Sequence, residues 1–89
     1  MRHIAKTDKN QAEIVAALRK IGARVLLLHQ HGSGCPDLLV GFRDELKLME
    51  VKYQNGKLTQ DEDGFYDEWR PYMVVVRNPE EALKAIGAT

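Results

Sequence analysis

Apolar residues recur at Ile14, Ala17, Leu18 and Ile21, the spacing of one helical face. Thr7 and Asp8 are N-cap residue types, and Gln11 follows Asp8 by three positions as in a capping box, so the pattern predicts a helix over about 8–21. Gly22 stands where a left-handed residue would end it. The pattern then changes. Val25–Leu28 is an uninterrupted apolar run suited to a buried strand, on which the helix is expected to pack, and HQHGSGCP (29–36) combines two glycines, a serine and a proline in a loop.

Two further strands are predicted at about 37–42 (DLLVGF) and 46–53 (LKLMEVKY), with Arg43, Asp44 and Glu45 between them as the tip of a hairpin. Gln54-Asn55-Gly56-Lys57 reads as a turn. Thr59 is placed to cap a helix running to about Trp69, despite Gly64, and Pro71 ends it. Tyr72–Arg77 is β-rich. Asn78 is an N-cap type, Pro79 fits a first helical position, and Glu80 and Glu81 suit the positive end of a helix dipole. The order is α-β-β-β-α-β-α. It implies a single α/β domain over residues 1–89, a small mixed sheet of four strands flanked by helices.

Composition narrows the function classes. At 44% apolar and 29% charged residues the chain is an ordinary globular sequence. Its longest apolar runs, Val25–Leu28 and Met73–Val76, fall far short of the roughly 18–20 residues of a membrane helix, and no secretory apolar segment opens the chain. Cys35 is the single cysteine, which excludes an internal disulfide or a cysteine-built zinc site and suits a reducing compartment. The net charge of zero argues against indiscriminate coating of nucleic acid. Charge is nevertheless uneven: residues 1–36 hold six Lys/Arg against two Asp/Glu, and residues 37–89 hold seven against eleven.

The candidate chemistry lies in Gly34-Cys35-Pro36-Asp37 and Glu50-Val51-Lys52. In the predicted hairpin Asp37 falls opposite Lys52 and Leu39 opposite Glu50, and strand alternation puts Asp37, Glu50 and Lys52 on one face. Directly opposed residues lie about 5 Å apart and diagonal ones about 7–8 Å, so both carboxylates reach one ion between them. Phosphodiester hydrolysis needs neutralisation of growing phosphoryl charge and a nucleophile made from water near neutral pH. Mg²⁺ or Mn²⁺ supplies both, held by one or two carboxylates. A lysine between two carboxylates is expected to stay charged and to act electrostatically. Singly, each of these residues reads as an ordinary surface charge. The setting argues otherwise, because Glu50 interrupts the apolar series Leu46, Leu48 on a face expected to pack, where charge is costly unless paired or metal-bound.

These residues resemble the PD-(D/E)xK nuclease superfamily, and the whole chain resembles its VRR-NUC branch, the virus-type replication-repair nuclease domain. An initial helix with a glutamate, the GCPD loop, the EVK strand, a KLT turn entering a helix, and a strand ending VVRNPEEAL occur in order over nearly the full length. The resemblance implies a restriction-endonuclease-like core and a metal bound by Asp37, Glu50 and the backbone carbonyl of Val51. Lys52 would be the catalytic lysine, and Glu13 a fourth member that acts directly or through water. Where the family usually carries a glutamine this chain has Glu62, with Gln60 two positions earlier. Both are candidates for contacting substrate, and helical spacing puts Glu62 on the inward face with Phe65, Tyr66 and Trp69, aromatics expected in the core.

Gly32, Ser33 and Gly34 are placed to aim backbone amides at a phosphate. His29 and His31 lack a third zinc ligand and read as loop residues that touch DNA. Cys35 reads as a packed thiol beside the site. The acids Asp61, Glu62, Asp63, Asp67 and Glu68 would repel DNA, so most should face away from it. The resemblance further implies a homodimer that cuts DNA, with branched or four-way junction DNA as the candidate substrate, in the cytoplasm of a bacterial or phage-infected cell. The alternative from another class is a nucleic-acid-binding or assembly module that keeps the fold without catalysis.

Overall fold

A computed structural model describes residues 6–28 and 32–89. Helix α1 (Lys6–Lys20) leads into β1 (Arg24–Leu27), β2 (Leu38–Phe42) and β3 (Glu45–Val51). Helix α2 (Gln60–Trp69), a 3-10 turn at Arg70–Tyr72, β4 (Met73–Val76) and α3 (Pro79–Ala85) complete the chain in the expected order. The strands form one mixed sheet, β1-β2-β3-β4, in which the first three are antiparallel and β4 runs parallel to β3. A parallel neighbour requires a crossover, and α2 lies in it.

Most helix ends follow the local chemistry. Gly22 has φ +92°, and the amides of Gly22 and Ala23 donate to the carbonyls of Arg19 and Leu18, which closes α1. The start of α1 differs from the expected one: Asp8 sits inside the first turn instead of capping it, where its charge still complements the helix dipole. Thr59 and Glu62 form a reciprocal capping box at α2, while Asn78 caps α3 by accepting from the Glu81 amide with Pro79 as the first helical residue.

Two expectations about the strands need correction. β1 is not buried: it is the edge strand, with Leu26 58% and Leu27 42% exposed. A four-residue apolar run cannot by itself distinguish an edge from a centre. The hairpin tip is also one residue shorter than expected. Arg43 and Asp44 alone form it, at φ +51° and +66°, the doubly left-handed form that suits the strand twist. Against the register expected for a two- or four-residue loop, which set Asp37 opposite Lys52, the pairing is shifted by two and sets Leu38 against Met49 and Leu39 against Leu48. An even shift leaves every side chain on its predicted face.

The two faces of the sheet are unlike. Leu38, Val40, Met49, Val51 and Val76 pack with Ile14 and Leu18 of α1 and Ala82 of α3 in one core. Full burial of such side chains contributes roughly 1.5–3 kcal/mol each. On the other face Leu46 is 67% exposed and no residue of α2 is buried. Stability thus resides on the α1–α3 side. Glu50 shares the less covered face but is itself buried there, while the expected core placement of the aromatics is corrected, with Trp69 42% exposed. Phe65 and Trp69 stack at 5.5 Å with Tyr72 edge-on to Trp69, and with Leu39, Leu46 and Leu48 they line an open apolar groove of about 450 Å³.

Candidate active site

Asp37 stands immediately before β2, where its carbonyl accepts from the Leu28 amide and prolongs the pairing with β1. Its Oδ2 accepts a 2.8 Å hydrogen bond from the Val51 amide, which fixes the carboxylate against the end of β3. One step beyond the Leu38–Met49 pair, Asp37 comes across from Glu50, not from Lys52 as expected. The two acids thus meet more directly than the sequence pattern implied. Val51 is buried, and its amide is the one that holds Asp37.

Glu50 is only 2% exposed, and its Oε1 has no hydrogen-bond partner among the described residues. Buried acceptors are almost always paired, so an orphaned carboxylate oxygen calls for a missing cation or proton. Burial, then the hydrogen bond and charge of Asp37, then the charge of Glu62, push the Glu50 carboxyl up to about 9, against an opposing pull from Lys52. At neutral pH without metal it holds a proton.

Lys52 lies on the same face, its Nζ 2.6 Å from Glu62 Oε1 and 3.7 Å from Glu50 Oε2. Burial works against its charge, but the Glu62 hydrogen bond and the charges of Glu50, Glu62 and Asp37 outweigh it and raise the pKa. It is an ammonium, as expected. Burial likewise works against the charge of Glu62, yet the Lys52 ammonium and the Thr59 amide hold its carboxyl below the usual range. Of the two candidates on α2, Glu62 reaches the site and Gln60 is exposed at the helix start. Burial and the charges of Glu50 and Asp37 raise the Cys35 thiol, which sits half-buried beside them.

Glu13 is exposed on α1 and shares a cleft of about 250 Å³ with Lys9, Asn10 and Tyr53. Among the described residues no three Asp, Glu, His or Cys side chains gather as a ligand set, so Glu13 is not drawn into one group with Asp37 and Glu50. Gly32 and Ser33 are exposed, whereas Gly34, at φ +80°, is pressed against α2. A Cβ there would lie 2.5 Å from the Asp61 carbonyl carbon and 2.8 Å from the Glu62 nitrogen, both backbone atoms that cannot swing aside. Gly34→Ala is therefore expected to destabilise the fold by about 2–4 kcal/mol, adding left-handed strain to overpacking. A lowered urea midpoint would report it. His29 and His31 lie outside the described residues.

Sequence reasoning missed two positioning residues. Asn10 is buried, and its Nδ2 donates to the carbonyls of Arg77 (3.0 Å) and Lys52 (3.4 Å), tying α1 to the ends of β3 and β4. Arg77 Nη1 donates to the carbonyls of Gln54 and Gly56, holding the turn that follows Lys52. Asn10 was detectable, because it stands four residues before Ile14 as a polar residue on the apolar stripe. Arg77 carried no such signal.

The donor set suits a hard divalent cation, which binds through one or two carboxylates and keeps several waters. Asp37 and Glu50 converge, and Glu50 Oε1 is a buried acceptor with no donor among the described residues. No family model matches the chain, nor does any curated protein or solved structure.

Proposed function

We propose that this chain is a divalent-metal-dependent endonuclease that hydrolyses DNA phosphodiester bonds, a VRR-NUC-like member of the PD-(D/E)xK nucleases. The observation that carries the reading is the meeting of half-buried Asp37 with buried Glu50, whose Oε1 has no partner among the described residues, and a charged lysine on the same face. A structural acid pair would gain nothing from that arrangement, since each buried charge is costly and the pair is mutually repulsive.

In this mechanism Asp37 and Glu50 would hold Mg²⁺ or Mn²⁺, with the Val51 carbonyl and Glu13 as further candidates, Glu13 through water. When bound, the ion would supply neutralisation of phosphoryl charge and a more acidic water. The Val51 amide orients Asp37, so that this carboxylate is in place before substrate arrives. Lys52, kept protonated by its acidic neighbours, stabilises the negative charge that develops on the phosphoryl oxygens. The exposed Lys9, Arg19 and Lys20 on α1 offer cations for the backbone of the duplex. Exposed Gly32 and Ser33, with His31, remain candidates for contacting a phosphate.

A domain of this size has little surface with which to grip DNA, and a homodimer would present two sites to the two strands of a branched or four-way junction substrate. The open groove of Leu39, Leu46, Leu48, Phe65, Trp69 and Tyr72 supports self-association, because large exposed apolar patches are rare on monomers. The reading is tested by incubating the purified protein with four-way junction, flap and linear duplex DNA, with and without Mg²⁺ or Mn²⁺. Sedimentation equilibrium gives the assembly state. Cleavage is expected only with metal, and Lys52→Ala is expected to lower it by roughly 10²–10³-fold, the cost of losing one electrostatic stabiliser. Binding of DNA with no cleavage in either metal would replace the nuclease with a binding module.

A further inference from the structure

We infer that Glu62 is the positioning residue for the Lys52 ammonium, and that the N-cap of α2 at Thr59 thereby sets where the ammonium lies. The catalytic consequence rests on the nuclease reading above; the clamp itself does not.

A capping box requires only that the fourth residue reach back to the N-cap amide. Here one atom does more. Glu62 Oε1 accepts from the Thr59 amide at 2.8 Å and from Lys52 Nζ at 2.6 Å, while Thr59 Oγ1 accepts from the Glu62 amide at 3.2 Å. The carboxylate cannot swing away without breaking both the helix cap and the ion pair. Glu50, at 3.7 Å, is too far from Nζ for a hydrogen bond, so Glu62 and not Glu50 dictates the position of the ammonium. The lysine stem alone is flexible and would not fix it.

A second observation ties the same turn to the other half of the site. The backbone of Asp61 and Glu62 rests on Gly34, three residues before Asp37, at a separation that excludes any side chain. The first turn of α2 is thus keyed both to the loop that delivers Asp37 and to Lys52. A glutamine at position 62 would complete the cap, but it would offer the ammonium a neutral oxygen, and such a bond is roughly half as strong as a charge-assisted one. Thr59, exposed and outside the reacting centre, becomes a remote lever on the lysine.

The test uses the full chain in four forms: wild type, Thr59→Ala, Thr59→Ser and Glu62→Gln. The first readout is the Lys52 ammonium resonance in the metal-free ¹⁵N-labelled protein, assigned by its loss in Lys52→Ala. Wild type and Thr59→Ser are expected to show a slowly exchanging ammonium signal that Thr59→Ala and Glu62→Gln shift or broaden away. The second readout is steady-state cleavage. Thr59→Ala is expected to lower kcat roughly ten- to hundredfold with KM little changed, as a misplaced catalytic group does, and Thr59→Ser to restore it. Far-UV circular dichroism confirms folding, and if Thr59→Ala fails it, Glu62→Gln carries the comparison. An unchanged ammonium signal in the folded variants overturns the clamp, and a changed signal with unchanged kcat overturns its catalytic role. If wild type cuts no DNA, the resonance still decides the clamp and only the nuclease reading fails.

Discussion

Glu50→Gln is expected to lower DNA cleavage by more than about 10³-fold and, in the same protein without metal, to raise thermal stability at pH 8. The two effects have one cause. Glu50 is buried, faces Asp37, and has a carboxyl pushed up to about 9. Because the folded state binds this proton more tightly than the unfolded chain, the stability contribution is complete below the ordinary carboxyl pKa of about 4.5 and is lost as pH rises toward about 9. At pH 8 the metal-free fold carries most of that penalty. Glutamine has no proton to lose and can donate to Asp37, so the variant should gain about 1–3 kcal/mol there, where one pKa unit corresponds to 1.36 kcal/mol. For a domain this small, each kcal/mol moves Tm by roughly 4–8 °C. The gain should fade as pH approaches 4.5. Thermal melts of both proteins at pH 4.5, 6 and 8, beside the cleavage assay, measure the pair of effects. A variant that is less stable than wild type at pH 8 would mean that Glu50 serves packing and not chemistry.

Why the sequence disclosed the site so much more fully than its surroundings follows from what each feature depends on. Faces were legible, since strand alternation survives any even shift in register, and the misjudged hairpin tip moved Asp37 from Lys52 to Glu50 without turning a single side chain over. Opposition was not legible. It depended on Arg43 and Asp44 both adopting positive φ, a conformation that Asp tolerates but for which Arg is not a favoured residue type. Caps at Thr59, Asn78 and Gly22 were readable because each satisfies orphan backbone groups by local chemistry alone.

Tertiary choices carried no such local signature. Leu26 and Leu46 look like core residues in sequence, yet α1 and α3 both lie on the other face of the sheet, and only α2, with no buried residue, approaches theirs. Glu62 illustrates the same limit. Helical spacing put it on the inward face, but whether it would meet Lys52 depended on how closely Gly34 lets α2 approach the strands. The packing role of Gly34 was hidden for the same reason: its bare Cα is taken up by contact with Asp61 and Glu62.

Metal binding to the free protein should be strongly pH-dependent and should release a proton. A cation held by Asp37 and Glu50 requires both as carboxylates, and Glu50 keeps its proton until about pH 9. Below that value the ion must displace the proton, so apparent Mn²⁺ affinity should rise about tenfold per pH unit between pH 6 and 8 and level off near 9. Calorimetry in buffers of different ionisation enthalpy should count close to one proton released per ion at pH 7. Lys52→Ala should bind metal with the same proton stoichiometry. Its ammonium favours the ionised form of Glu50 only weakly while Glu62 holds it, so this variant separates loss of cleavage from loss of the ion. Asp37→Asn should lose most of the affinity and also draw the Glu50 carboxyl down, since the Asp37 carboxylate is among the groups that push it up. Affinity independent of pH over this range would place the ion away from Glu50, whose carboxyl is pushed up to about 9.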